Sequence, residues 1–158
     1  MKTQIMIKQM FFAVILLTAA LPAFAAEEYG AVFSKVNGQV EVIRPGKAAE
    51  PAQVGMHLSE KDQIRTAEGG TAEILLDEKG GAGSLEVAEK THIRLGTLQK
   101  NPATEERVTL LQTAIGKVNV HVQKLKGSSK FEVETPTATT GVRGTSFTVE
   151  VSPVESKK

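Results

Sequence analysis

Apolar and polar residues alternate with a period of two along most of this chain. Val118, Val120 and Val122, for example, are separated by Asn119 and His121. Such alternation predicts strands with one face in a core and the other in solvent. The predicted core-facing positions are Val40, Val42, Ala72, Ile74, Leu76, Leu85, Val87, Thr91, Ile93, Leu95, Val108, Leu110, Val118, Val120, Val122, Phe131, Val133, Thr135, Phe147, Val149 and Val151.

Turn-forming residues separate these runs. Asn37-Gly38 has the composition of a type I′ hairpin turn, in which both central residues adopt positive φ. Strands spaced about ten residues apart predict an all-β, single sandwich- or roll-like antiparallel domain of about 8–10 short strands. Residues 48–60 are predicted to be irregular, and 105–111 is either a helical turn or a strand, with Val108 and Thr109 favouring the strand. No other helix is expected beyond the N-terminal segment.

The first 25 residues have the three parts of a cleavable signal peptide. Lys2 and Lys8 are basic, residues 10–21 are apolar, and Ala23-Phe24-Ala25 is a small-x-small cleavage site. The apolar run is shorter than the ~20 residues of a spanning helix. We therefore expect a signal-peptide helix at 1–25, a β domain at 26–151, a polar tail at 152–158, periplasmic localisation and no retained membrane anchor.

Composition narrows the choice of partner and chemistry. The chain has no cysteine, so an exported form depends on packing and offers neither disulfides nor thiolate ligands. Without Lys2 and Lys8, the 19 basic residues become 17 against 18 acidic ones, a net charge of −1. This balance argues against nucleic acid as a partner. No tryptophan and one tyrosine argue against stacking platforms for sugars or bases.

Catalytic and metal-binding patterns are not evident in the sequence. There is no Gly-x-Ser-x-Gly elbow, and the histidines, His57, His92 and His121, are too far apart for a zinc motif. His92 and His121 fall on the polar phase of their strands. The chain is therefore predicted to be non-enzymatic and to need no cofactor or metal. The remaining hydrolase hypothesis rests on His57, the histidine least clearly exposed.

The segment 131–151 has the most unusual sequence. Two alternating strands flank a stretch that contains Pro136, Gly141 and Gly144. Pro136 should end the first strand at Thr135. The two glycines on either side of Val142-Arg143 predict bulges or positive φ, which would point Arg143 in a fixed direction.

This segment closely resembles the hallmark of the FecR domain family, named for the periplasmic regulator of ferric citrate uptake. The matching residues are Thr135-Pro136, Ala138, Gly141-Val142-Arg143-Gly144-Thr145 and Phe147. Weaker similarities follow in family order at 38–42, 58–66, 70–74, 83–87 and 91–95, so that the resemblance spans about residues 36–151. Lys61 and Ala67 stand where the family usually has glycine, which predicts a slightly altered turn there.

The resemblance implies a periplasmic β domain that takes part in envelope sensing or signalling. Family regulators also carry a cytoplasmic anti-sigma segment, a transmembrane helix and a further C-terminal domain. None of these is predicted here, so direct control of a sigma factor is not expected. We predict a module that binds an envelope protein, by strand addition at an exposed edge. The alternative is an envelope glycan or small ligand, bound on a concave polar face.

Candidate residues follow from the same motif. Arg143 either fixes the fold, by bonding strand-end carbonyls or a carboxylate such as Asp62, or binds a partner's carboxylate or strand. The candidate binding residues are Arg143, Thr139, Thr140 and Thr145. The candidate structural residues are Asp62, Thr135, Pro136, Gly141, Gly144 and Phe147.

Overall fold

A computed structural model describes residues 27–77 and 81–152, so the predicted signal peptide and nearly all of the predicted tail lie outside the described residues. The described part is built from strands and has no helix, which confirms the all-β prediction. In particular, no helix within it is long and apolar enough to cross a membrane. The strands are β1 (Glu27–Glu28), β2 (Ala31–Asn37), β3 (Val40–Ile43), β4 (Glu50–Pro51), β5 (His57–Leu58), β6 (Gln63–Thr66), β7 (Thr71–Leu76), β8 (Gly83–Val87), β9 (His92–Lys100), β10 (Arg107–Val122), β11 (Lys130–Glu134), β12 (Thr139–Val142) and β13 (Ser146–Val151).

The strands form two sheets joined through β10. The first sheet has the order β4-β3-β6-β9-β10-β11-β12, with β1 beside β9, and the second has the order β5-β2-β7-β8-β10-β13. At 16 residues, β10 is much longer than the short strands expected, and its two halves serve different sheets. All pairs are antiparallel except β10–β11, which is parallel.

The sheet switch occurs at Gly116, between Ile115, which pairs with His92 of β9, and Val118, which pairs with Val87 of β8. Gly116 has φ +96°, a conformation that glycine adopts without strain. The register of β10 shifts just before it, between Thr113 and Ile115. This bulge and bend carry β10 from one sheet to the other.

Side chains from both sheets form one core, which includes Phe33, Ile64, Ile74, Leu95 and Phe131. Most of the predicted core-facing positions are buried. In residues 107–111, however, the side chains that were predicted to face solvent are the ones that face the core. Thr109 and Leu111 are buried, whereas Val108 is 41% exposed and Leu110 is half-buried. Cross-strand neighbours share a face. Thr109 and Leu111 lie opposite the buried Leu98 and Leu95, so the neighbouring strand imposes the phase.

The prediction of a hairpin turn at Asn37-Gly38 is wrong. Gly38 has φ +65°, but Asn37 does not adopt positive φ, and β2 and β3 lie in different sheets. The turn is an arch between the sheets, because both strands bury alternate side chains in the shared core. A Cβ on Gly38 would stand 2.7 Å from the carbonyl oxygen of Gly69, so the arch also requires glycine for space.

Candidate functional site

The C-terminal segment forms the open edges of both sheets on one side of the molecule. β8 and β9 follow each other along one side of β10, and β11 and β13 pair with its other side. β12 then extends the first sheet beyond β11. Within residues 27–77 and 81–152, β12 pairs only with β11 and β13 pairs only with β10. Each therefore presents one unpaired edge of backbone groups.

These two edges are longer than those at the other end of the sheets. β13 has six residues and β12 has four, whereas β4 and β5 have two each. Very short edge strands are one way in which proteins prevent unwanted pairing. In β13 the exposed residues Ser146, Thr148 and Glu150 alternate with half-buried Phe147, Val149 and Val151. This strand has the regular form that a further strand can join.

The hairpin between β11 and β12 is closed by Thr135. Its amide donates to the carbonyl of Ala138 at 2.7 Å, and its hydroxyl accepts from the Ala138 amide at 3.1 Å. Strand β11 ends at Glu134, one residue before the predicted stop, and Pro136 is exposed within the turn. The threonine and proline of the motif thus form a turn in which a local side-chain bond replaces the ladder.

A tight corner, Arg143-Gly144-Thr145, joins β12 to β13 across the two sheets. Gly144 has φ +62°, and a Cβ on it would stand 3.0 Å from the Cα of Lys124. The carbonyl of Thr145 accepts from the Val122 amide at 3.0 Å. Gly144 therefore adopts the positive φ predicted for it. Gly141 does not, because it lies in regular β12 opposite Glu132.

Phe147 ties β13 to β11. Its ring meets that of Phe131 edge to face, with the centroids 6.5 Å apart and the planes at 84°. This arrangement is favourable for aromatic pairs. Phe131 is buried and Phe147 half-buried. The aromatic residue of the motif thus anchors the edge strand to the core.

Arg143 does not pair with Asp62, so this part of the structural hypothesis is wrong. Asp62 is 3% exposed; its carboxylate accepts from the Ser59 amide at 3.0 Å and lies 3.7 Å from Nε of Arg44. The side chain of Arg143 is exposed and has no hydrogen-bond or ion-pair partner in the part of the chain that the structure describes. Thr139, Thr140 and Thr145 are also exposed. All four candidate binding residues therefore lie on accessible surface, along β12 and at the corner.

A groove of about 560 Å³ lies beside β12 and includes Arg143. Its wall is formed by residues 127–132 of the loop before β11 and of β11 itself, and by Gly141 and Val142. Lys130 and Arg143 both border this groove. Lys130 was not singled out from the sequence, because only the β11–β12 register brings it close to the motif arginine.

The second sheet carries a polar outer face on β8, β10 and β13. Asn119 accepts from the Thr148 hydroxyl at 2.8 Å and donates to Glu86 at 3.2 Å, and Nδ1 of His121 bonds the Ser146 hydroxyl at 2.5 Å. These side chains line a groove of about 440 Å³. The sequence indicated only that these side chains alternate with apolar residues and so face solvent. Only the pairing of β8 and β13 with β10 assembles them.

None of the three histidines is buried. His57, the basis of the hydrolase hypothesis, is exposed, and so is His121. His92 is half-buried. Desolvation is the larger cause that lowers its pKa from 6.5, and the positive charge of Arg65 is the smaller one. No carboxylate in the described residues bonds the ring of His121, so its contact with Ser146 lacks the orienting acid of a triad. In the same residues, no three histidine or acidic side chains are grouped closely enough to hold a metal ion.

Comparison with known proteins identifies the family. A family model described as FecR protein matches residues 62–157, which is more than half of the chain. No curated protein and no solved structure matches this chain. The matched range contains Asp62, the Thr135-Pro136 turn, the Arg143 corner and Phe147, together with β6–β13. On this match, the chain belongs to the FecR protein family.

Proposed function

We propose that this protein is a non-enzymatic, exported module that binds another envelope protein at the edge formed by β12 and β13. Membership of the FecR family is consistent with a role in signalling. The observation that carries the proposal is the pair of unpaired edges at one side of the sheets, six and four residues long. An extended segment gains main-chain hydrogen bonds along such an edge and specificity from alternate side chains.

The surroundings of the edge support the same function. Thr139, Thr140, Arg143 and Thr145 are exposed there, and the corner is held by Gly144 and by the Thr145–Val122 hydrogen bond. A fixed edge loses less conformational entropy on binding than a mobile loop does. The predicted signal peptide supports a periplasmic location, where this surface would meet receptors and other envelope proteins.

Site-specific photo-cross-linking in cells tests this proposal. Benzoylphenylalanine at Thr145 reports on the proposed edge, and the same group at Val54, which is 64% exposed in the loop between β4 and β5, is the matched control. We expect a discrete protein adduct from position 145 and little or none from position 54. Equal adducts at both positions, or adducts from position 54 alone, would contradict the proposal. An outer-membrane receptor domain in the adduct would support signalling.

Glycan binding is a second candidate, favoured by the outer face of the second sheet. Ser84, Asn119, His121, Ser146 and Thr148 line the groove of about 440 Å³ and offer both donors and acceptors. Pull-down on purified cell wall tests this candidate. Retention that is lost in Asn119→Ala and kept in Thr145→Ala would assign the ligand to this face. Retention unaffected by either change would argue against it.

A further inference from the structure

We propose that the partner segment is acidic, and that one of its carboxylates is bound by Lys130 and Arg143 while its backbone extends the first sheet at β12. This inference rests on the proposed function and names the class of partner and the residues that recognise it.

Two cations stand side by side at this end of the first sheet. Lys130 and Arg143 flank the Phe131–Val142 pair, the last pair of the β11–β12 register, and both border the same groove. Neither side chain has an ion-pair partner in residues 27–77 and 81–152. Like charges at opposite positions of a sheet destabilise it. An anion placed between them would remove this repulsion and gain two charge-assisted contacts.

Two other cations on strands of this protein are neutralised within the fold. Lys35 meets Glu73 across β2 and β7 at 2.6 Å, and Arg65 meets Glu41 across β6 and β3 at 2.6 Å. Both pairs join cross-strand neighbours, which is the usual arrangement for opposite charges on a sheet. Lys130 and Arg143 depart from this arrangement at the edge where a further strand can add.

The loop before β11 makes this end of the sheet more positive. Lys124 and Lys126 are exposed in that loop and have no ion-pair partner in the described ranges. Two carboxylates are close. Glu106 accepts from the Ser128 amide at 2.8 Å and from the Thr104 hydroxyl at 3.1 Å, and Glu132 lines the groove. Four cations against these two carboxylates leave an excess of positive charge, which favours an anionic partner.

The groove provides room for the partner's side chains at Gly141. This glycine has ordinary strand geometry, and a Cβ on it would meet only Cγ of Glu132, at 4.0 Å. The groove is therefore open at this position because glycine has no side chain to fill it, whereas the backbone conformation would also suit other residues. A strand added to β12 places every second side chain on this face. A carboxylate near the corner would reach Arg143 and Lys130.

The experiment uses three blocked heptapeptides in which valine alternates with threonine and only the central residue differs: glutamate, glutamine or lysine. Each is titrated into isotope-labelled protein, and the amide resonances of β11, β12 and β13 are followed by NMR. We expect the glutamate peptide to shift the amides of β12 and to bind about tenfold more tightly than the glutamine peptide. Added salt should reduce this difference.

Variants assign the effect to the two cations and to the groove. Lys130→Gln with Arg143→Gln should abolish the preference for glutamate, and reversal of both residues to glutamate should transfer it to the lysine peptide. Lys35→Gln with Arg65→Gln removes the same charge elsewhere and should leave binding unchanged. Gly141→Val should block the groove while the thermal unfolding midpoint is retained, since valine suits a strand.

Two results would overturn the inference. If all three peptides bind β12 equally, the edge accepts strands without regard to charge; the proposed function then stands and the acidic partner does not. If no peptide binds, or if the shifts fall on β13 or on another surface, Lys130 and Arg143 are not the recognition site. The cross-linking from Thr145 still tests the proposed function in that case.

Discussion

The hydroxyl of Thr91 accepts a hydrogen bond from the amide of Lys117 at 3.0 Å, next to the point where β10 leaves one sheet for the other. The same hydroxyl donates to the carbonyl of Glu89 at 3.0 Å. Thr91 is buried, and Gly116 packs directly against it. Thr91 therefore holds the bend in β10, and it occupies the space that a side chain at Gly116 would need.

Gly116→Ala should be strongly destabilising. The new Cβ would stand 2.5 Å from the Cα of Thr91, and φ +96° is unfavourable for alanine. Overpacking and backbone strain together predict a loss of about 3 kcal/mol or more in the free energy of unfolding. Urea denaturation measures it. Gly141→Ala is the matched control and should change stability little, and a comparable loss in both variants would contradict this account of the bend.

Lys61→Gly should stabilise the protein. Lys61 adopts φ +71° at the position where the family usually has glycine, and a left-handed conformation costs a side-chain-bearing residue about 1–2 kcal/mol. Glycine relieves this strain but has more freedom in the unfolded chain. The expected net gain is about 0.5–1 kcal/mol in urea denaturation. Lys47→Gly, at an exposed position without positive φ, should bring no gain.

Stability should fall in strong alkali because of Tyr29. Burial raises the pKa of its hydroxyl from 10.0 to about 12, although the hydrogen bond with Thr109 opposes this shift. Since the folded-state pKa is the higher one, the stabilisation is complete below pH 10 and is lost as the pH rises from 10 through 12. Tyr29 is the only tyrosine, so tyrosinate absorbance follows it alone.

Tyr29→Phe provides the control for this alkaline effect. Loss of the buried hydroxyl partner of Thr109 should cost about 1–3 kcal/mol at neutral pH. The difference in stability between wild type and variant should then shrink between pH 10 and pH 12. An unchanged difference across that range would show that Tyr29 does not titrate with a raised pKa.

His92 should titrate below its ordinary pKa of 6.5, because it is partly desolvated and lies near Arg65. A lowered folded-state pKa means that the stabilisation is present above pH 6.5 and is lost as the pH falls through the folded-state value. NMR titration of the ring protons measures this pKa. Arg65→Gln should raise it towards 6.5 without restoring it fully, because desolvation is the larger cause. No change in Arg65→Gln would leave desolvation as the whole explanation.

Arg143→Glu should retain the thermal unfolding midpoint of the wild type, because Arg143 has no partner in the described residues and stands beside Lys130. Asp62→Ala should lower it, with a loss of about 1–3 kcal/mol, since the buried carboxylate accepts from the Ser59 amide and lies beside Arg44. Circular dichroism melting compares the two variants. A large decrease in the unfolding midpoint of Arg143→Glu would show that the arginine has a structural role.

The candidate site was only partly readable from the sequence. The turn at Thr135-Pro136 and the positive φ of Gly144 follow from local residue chemistry, and both were predicted. The partner proposed for Arg143 and the conformation of Gly141 were not predicted correctly, because each depends on where β12 lies relative to residues far away in the chain. The proximity of Lys130 to Arg143 had no sequence signal for the same reason.

By itself, the sequence determined that the described domain is all-β and which face of most strands is buried, since an alternating pattern specifies both. Its C-terminal motif also indicated the family. Only the tertiary structure decided which strands pair. It turned Asn37-Gly38 into an arch between sheets, set Thr109 and Leu111 inward in place of Val108 and Leu110, and left β12 and β13 as open edges. Alternation fixes the faces of a strand but not its neighbours, and the neighbours set register, bends and edges.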